Sequence, residues 1–297
     1  MHLQARLFPR GAASQRLIEA VLPPERRQVT SSRVAVPLQD VAALLAAGDA
    51  ADGFGVNGEA VFAAADLAAV THFELVCRKV LAESRRDSDA NLARTQATPL
   101  VDAGGHAPIR LVTGFTLSRA ALAPNAVGAI GDWTNEYAVG SAVASALADA
   151  SLTGYALVPV STGASGSGHD DLRQIVSDQI LPPALLDVSV ERISSPHPEE
   201  DGHRRHLGCL AYDEVSLHDR ADINRTAEPW GGWHGWPAWV VSRRTVEVLR
   251  TSQVRGWHYR PVLIRDHALY GQYLAGWHAL AAAVAATARS RFEGGRW

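Results

Sequence analysis

One stretch of this chain occurs twice at a fixed offset of 102 residues. The first copy, 137–160, runs Tyr137-Ala138-Val139-Gly140-Ser141, passes Leu147 and Leu152, and reaches Gly154-Tyr155 and Pro159-Val160. The second copy, 239–262, runs Trp239-Val240-Val241-Ser242, passes Leu249 and Val254, and reaches Gly256-Trp257 and Pro261-Val262. Self-similarity of this kind restricts the fold more than any single motif, because two like segments bury like faces and must be built from like elements.

Each copy opens with a short apolar run beside an aromatic residue, as a buried strand does, and then places Ser141 or Ser242 where a hydroxyl can cap a helix. Val143 and Leu147, or Val246 and Leu249, follow at helical spacing, and Gly154 or Gly256 closes the helix because glycine accepts the left-handed conformation without penalty. Alternating apolar residues then return as a strand, with Pro159 or Pro261 at an edge or end because proline donates no ladder hydrogen bond. The expected class is α/β or α+β, with two strand-helix-strand units; a parallel crossover and an antiparallel return fit the spacing equally.

A chain of 297 residues has length for about two domains. The turn region at Ala123-Pro124-Asn125 sets the expected boundary, giving an Ala-rich, helical N-terminal α/β domain over 1–125 and a C-terminal repeat domain over 126–297. Within the first, a strand at Ser32 to Leu38 leads to a helix at Val41 to Ala47, a helical stretch begins near Glu59, and Thr71-His72-Phe73-Glu74 has the spacing of a capping box that starts another helix. Farther on, Asp170 to Ile180 has an amphipathic helical pattern, Leu185 to Ile193 alternates as a strand, and a C-terminal helix begins near Arg265.

The formal charge of −3 supplies no general attraction to a polyanion, so no nucleic-acid role is expected. Cys77 and Cys209, the only cysteines, are too few for a disulfide framework. No apolar run has the length to cross a bilayer, and Met1 to Arg16 lacks the continuous apolar region of a signal peptide. The expectation is a cytoplasmic, soluble monomer or small homo-oligomer.

Five clusters are candidates for chemistry or binding, each against a structural alternative. Gly163-Ala164-Ser165-Gly166-Ser167-Gly168 can present N–H groups to an anion, yet it lacks the Lys-Ser/Thr of a P-loop and matches an ordinary flexible loop. His203, His206 and Cys209 form H-x-x-H-x-x-C, and His197 supplies a fourth ligand for a tetrahedral zinc; the alternative is an exposed histidine-rich loop, and no cofactor is the default. His169-Asp170-Asp171 and His218-Asp219 can orient a water, or can be a helix cap and a surface pair. Trp230, Trp233, Trp236 and Trp239 fall at spacings of three with Gly and Pro between, which suits neither a helical stripe nor an alternating strand. Rings so placed are candidate partner-binding anchors, with packing between domains as the alternative.

The pattern Val240-Val241-Ser242, Leu249, Val254, Gly256-Trp257 and Pro261-Val262 resembles the C-terminal segment of several bacterial toxin-immunity families of myxobacteria and proteobacteria, without the paired Cys-x-x-Cys of one of them. The resemblance covers a tenth of the chain per copy and implies a non-catalytic protein that binds and occludes a cognate toxin. No catalytic residue is carried over. Two other functions are compatible with the residues: a metal-dependent hydrolase using His197, His203, His206 and Cys209, and a structural component of a phage-like or self-assembling particle.

Overall fold

A computed structural model describes residues 1–9, 16, 18–20, 22, 28–30, 33–46, 54–77, 79–81, 84–102, 108–117, 122–131, 134–161, 168–185, 190–192, 204–206, 208–230 and 236–293. Helices and strands are mixed throughout, and three larger sheets carry the molecule.

Both repeat copies form strand, helix, strand. The first comprises Tyr137–Gly140, Ser141–Asp149 and Ala156–Ser161, and the second Trp236–Ser242, Arg243–Thr251 and Trp257–Pro261. In neither copy do the two strands pair with each other. Gly168–Val176 lies between the strands of the first copy, antiparallel to both, and His72–Cys77 lies between those of the second, also antiparallel to both. Strands flanking a common antiparallel neighbour are parallel to one another, so each helix is a crossover around an inserted strand. A hairpin partner completes each set: Val127–Ile130 pairs with Tyr137–Gly140, and Ile223–Trp230 with Trp236–Ser242.

The inserted strands extend the repeat. Ile175 stands opposite Tyr137 as Leu75 stands opposite Trp239, so 172–181 corresponds to 72–81 at an offset of 100, sharing Val176 with Val76 and Leu181 with Leu81. Beyond each strand the chain passes into the other sheet by matching contacts. Ala129 N–H donates to Lys79 O and Arg225 N–H to Gln179 O, both at 2.7 Å. The Cys77 thiol meets Val127 O at 3.7 Å as the Ser177 hydroxyl meets Ile223 O at 3.3 Å. Along the chain the pieces alternate as strand 72–77, hairpin unit 127–161, strand 168–176 and hairpin unit 223–261. The strand of each repeat inserts into the hairpin unit of the other, a reciprocal exchange about a pseudo-twofold axis.

Equivalent residues meet at that axis. The rings of Tyr137 and Trp239 stack with centroids 5.9 Å apart, and the two crossover helices pack together over one core containing Val143, Leu147, Val246 and Leu249. The helix ends repeat closely, but differ from expectation in two ways. The left-handed residue after each helix is Ser151 (φ 49°) or Gln253 (φ 52°), not glycine. Gly154 and Gly256 follow three residues later, also at positive φ, because a Cβ there would lie 2.4 Å from Ile223 O and from Val127 O of the opposite unit. Ser242 is an N-cap, accepting from Thr245 N–H at 3.3 Å. Ser141 is the first helical residue; Gly140 occupies the cap, and the orphan N–H groups of Ala142 and Val143 donate to Pro124 O at 3.0 and 3.2 Å.

The third sheet orders Gln28–Thr30, Arg33–Pro37, His2–Pro9 and Phe54–Val61 antiparallel. Its apolar face (Leu3, Leu7, Val34, Val36) packs with helix Leu38–Ala46 and with Tyr273, Trp277 and Leu280 of the C-terminal helix Ala268–Glu293.

Several sequence expectations change here. The expected boundary near residue 125 does not divide the sheets, since His72–Cys77 is interior to a C-terminal sheet and the C-terminal helix packs on N-terminal strands. The helical stretch expected from near Glu59 is strand as far as Val61 and helix only over Ala64–Ala69, and the segment from Thr71 is a strand, not a helix. Glu74 does not reach back to cap a helix; its carboxylate takes Arg260 Nη1 at 3.1 Å. Asp170 to Ile180 is mostly the strand Gly168–Val176, with Leu172, Gln174 and Ile175 buried. Ser84 starts the helix Arg85–Ala97, its hydroxyl accepting from Asp87 N–H while Asp87 accepts from Ser84 N–H. The C-terminal helix lies where the sequence placed it, and of the expected strand at Leu185 to Ile193 the described residues are Leu185, which is not in a strand, and Val190–Arg192, which is.

Candidate functional site

A cavity of about 450 Å³ opens beside the first crossover unit. Its polar floor is Glu136, Arg225 and Ser177, with Val112 among the apolar lining; Thr113, Asp178 and Gln179 line it from exposed positions, and Tyr155 is half-buried. Three elements converge to build it. Glu136 immediately precedes the strand Tyr137–Gly140, Ser177 follows the inserted strand, and Arg225 lies in Ile223–Trp230 of the other repeat.

Arg225 and Glu136 form an ion pair at 2.7 Å with side chains 1% and 2% exposed. Arg225 Nη2 also donates to Pro237 O at 3.0 Å, and the guanidinium carbon lies 4.0 Å from the ring centroid of Trp239, a cation–π contact. Trp239 is fixed in turn by donating from Nε1 to Asn135 O at 2.7 Å. Arg225 Nε is buried without a partner. On the acid side, Gln174 Nε2 approaches Glu136 Oε2 at 3.4 Å while bonding Val112 O at 2.8 Å. Burial pushes the Glu136 carboxyl above its ordinary range, and the Arg225 charge and hydrogen bond pull against that rise. Burial likewise raises the Tyr155 phenol.

The pseudo-twofold supplies an internal control. Arg225 stands opposite Trp239 as Ala129 stands opposite Tyr137, and Glu136 precedes Tyr137 as Ala238 precedes Trp239. The counterparts of the ion pair are thus two buried alanines. The repeat-related strand pairing forms with two methyl groups at these places, so it does not itself depend on the charges. Desolvating them costs several kcal/mol per ion. A costly feature present in one half only marks the place where the halves have diverged.

The residues singled out from the sequence lie elsewhere. Trp230, Trp236 and Trp239 are 7%, 4% and 0% exposed. Trp230 packs with Leu181, Leu210 and Val240, and Trp236 with Phe115, Leu81 and Val160. Within the chain these three rings are core, not surface anchors, because the hairpin folds them between the sheet faces; Trp233 lies outside the described residues. Trp239 alone joins the site, through Arg225.

Of the zinc candidates, His197 and His203 lie outside the described residues and His206 is placed only as backbone of Arg204–His206. Cys209 is buried in the N-terminal core, its N–H donating to Tyr273 Oη at 3.0 Å. Among the described residues no three His, Cys, Asp or Glu side chains gather for a metal. Gly163 to Ser167 also lie outside the described residues, and Gly168 to Asp171 are strand. His218 and Asp219 form an exposed pair at 2.8 Å.

Arg225 and Glu136 escaped the sequence analysis, although a signal existed. Aligned at the repeat offset, the positions that follow agree in character (Tyr137 with Trp239, Ala138 with Val240) while Glu136 faces Ala238. Arg225 becomes visible only when the hairpin register is known.

Comparison of the sequence with family profiles and with curated proteins finds no match.

Proposed function

We propose that the chain is a non-catalytic binding protein of the bacterial cytoplasm, an immunity-type inhibitor whose cognate toxin docks over the cavity floored by Glu136 and Arg225. The observation that carries the proposal is the ion pair's presence in one repeat and its replacement by Ala129 and Ala238 in the other. Its charges offset one another, so the floor offers a fixed donor and acceptor more than a free acid or base. Ser177 already donates to Ile223 O at 3.3 Å. Among the described lining residues there is neither histidine nor cysteine. Such a surface recognises by shape and hydrogen bonding. The toxin part of the proposal comes from the sequence resemblance, and Trp233 is carried forward as a candidate contact.

The test is co-expression with toxins encoded beside the gene, scoring growth rescue and complex formation. Rescue and a stable complex are expected for the parent chain. Loss of both is expected in the folded Glu136→Ala/Arg225→Ala double variant, because truncating interface anchors costs about 2 kcal/mol or more. Absence of any rescuing partner, with large assemblies or substrate turnover by the purified chain, overturns the proposal.

A further inference from the structure

We infer that the cavity receives a neutral carboxamide, the side chain of an Asn or Gln on the partner, read by Arg225 and Glu136 together. This rests on the binding reading above and gives it a chemistry. Both of the Arg225 side-chain hydrogen bonds are made by Nη2, so Nη1 and the fully buried Nε make none, and Arg225 lines the cavity. Glu136 spends Oε1 on Arg225, and Oε2 has only the long 3.4 Å approach of Gln174 Nε2. The cavity thus presents the unspent guanidinium N–H groups of Arg225 Nη1 beside an underused acceptor, and an amide carries the complementary C=O and N–H₂.

Charge excludes the other simple ligands. An anion meets two carboxylates, Glu136 and Asp178, against one guanidinium already paired. A cation meets that guanidinium at the floor, where like charge without screening is costly. The molecule already contains one such recognition: the carboxamide of Gln174 touches Glu136 and Val112 with its nitrogen and takes Gly114 N–H at 2.9 Å with its oxygen. The two alanines of the other repeat offer neither group.

The experiment titrates the full chain with N-acetyl-glutamine amide and follows two NMR signals, the Arg225 Nε–H and the Trp239 indole N–H. Arg225→Lys identifies the first signal by its loss. A saturable shift of both is expected, while acetate and methylguanidinium at equal concentration leave them in place. Glu136→Gln, which keeps the shape, and the Glu136→Ala/Arg225→Ala double variant, read at Trp239, should each weaken amide binding about tenfold, equivalent to about 1.4 kcal/mol. No saturable shift with the amide, equal binding of acetate, or unchanged affinity in both variants overturns the inference. Amide capture without any rescuing toxin supports the inference and sinks the inhibitor reading. Rescue by a toxin with the amide probe inert does the reverse.

Discussion

Arg225 and Glu136 are held where water cannot screen them, and each depends on the other. Removing one partner leaves a buried charge uncompensated, so Arg225→Ala or Glu136→Ala alone should cost about 3–5 kcal/mol in urea unfolding. The double variant should cost less than the sum, since the other repeat tolerates alanine at both places. His72 gives a pH dependence at the same scale. Burial lowers its imidazole below the ordinary value of 6.5, with the Asp222 carboxylate partly opposing. The fold prefers neutral His72, so its contribution is complete above pH 6.5 and is lost as pH falls from there through the lowered folded value. Stability measured from pH 8 to pH 5 should decline on the acid side, and His72→Gln should flatten the decline. For Cys77, burial raises the thiol above its ordinary value, opposed by nearby backbone hydrogen bonds. Alkylation at pH 8.5 should therefore be slow in the native chain and fast in denaturant.

At the scale of elements, the two crossover units make a matched pair of predictions. Gly154→Ala and Gly256→Ala each put a methyl 2.4 Å from a carbonyl oxygen of the opposite unit at positive φ. Both should destabilise by about 1–3 kcal/mol, measured by thermal or urea unfolding. Similar losses are expected because the contacts are equivalent: Ile223 N–H donates to Thr153 O at 3.1 Å, and Val127 N–H to Arg255 O at 2.9 Å. The crossover helices were legible in the sequence because their apolar spacing is local, and Ser242 announced its own cap. The strand His72–Cys77 was not legible. Thr71 to Glu74 satisfies a local helix-start rule, and the competing reward, pairing on both edges with Trp236–Ser242 and Trp257–Pro261, comes from residues far along the chain. The same holds for Gly168–Val176, whose helical apolar pattern is overridden by two flanking strands.

For the whole molecule, the reciprocal strand exchange ties the halves into one unit. Each inserted strand lies in one sheet and sends its next residues into the other, Val80–Leu81 against Val127–Ile130 and Ile180 against Arg225. Neither half closes without a strand from the other repeat, so urea unfolding followed by tryptophan fluorescence and by far-UV dichroism should give coincident single transitions for these two sheets. Leu75→Pro, which removes a donor from an interior strand, should abolish hydrogen-exchange protection across 236–261 and weaken it in 127–161. Separate transitions, or loss confined to one half, would count against the exchange.

The mixed class, the two strand-helix-strand units and the C-terminal helix could be read from residue order alone, because periodicity, capping and repeated spacing are local properties written in neighbouring residues. Which strand fills each crossover, the inward turn of Trp230, Trp236 and Trp239, and the meeting of Glu136 with Arg225 across 89 residues of chain emerge only when the sheets assemble. Those outcomes depend on sheet register and on desolvation, which couple residues that no short window of sequence contains together.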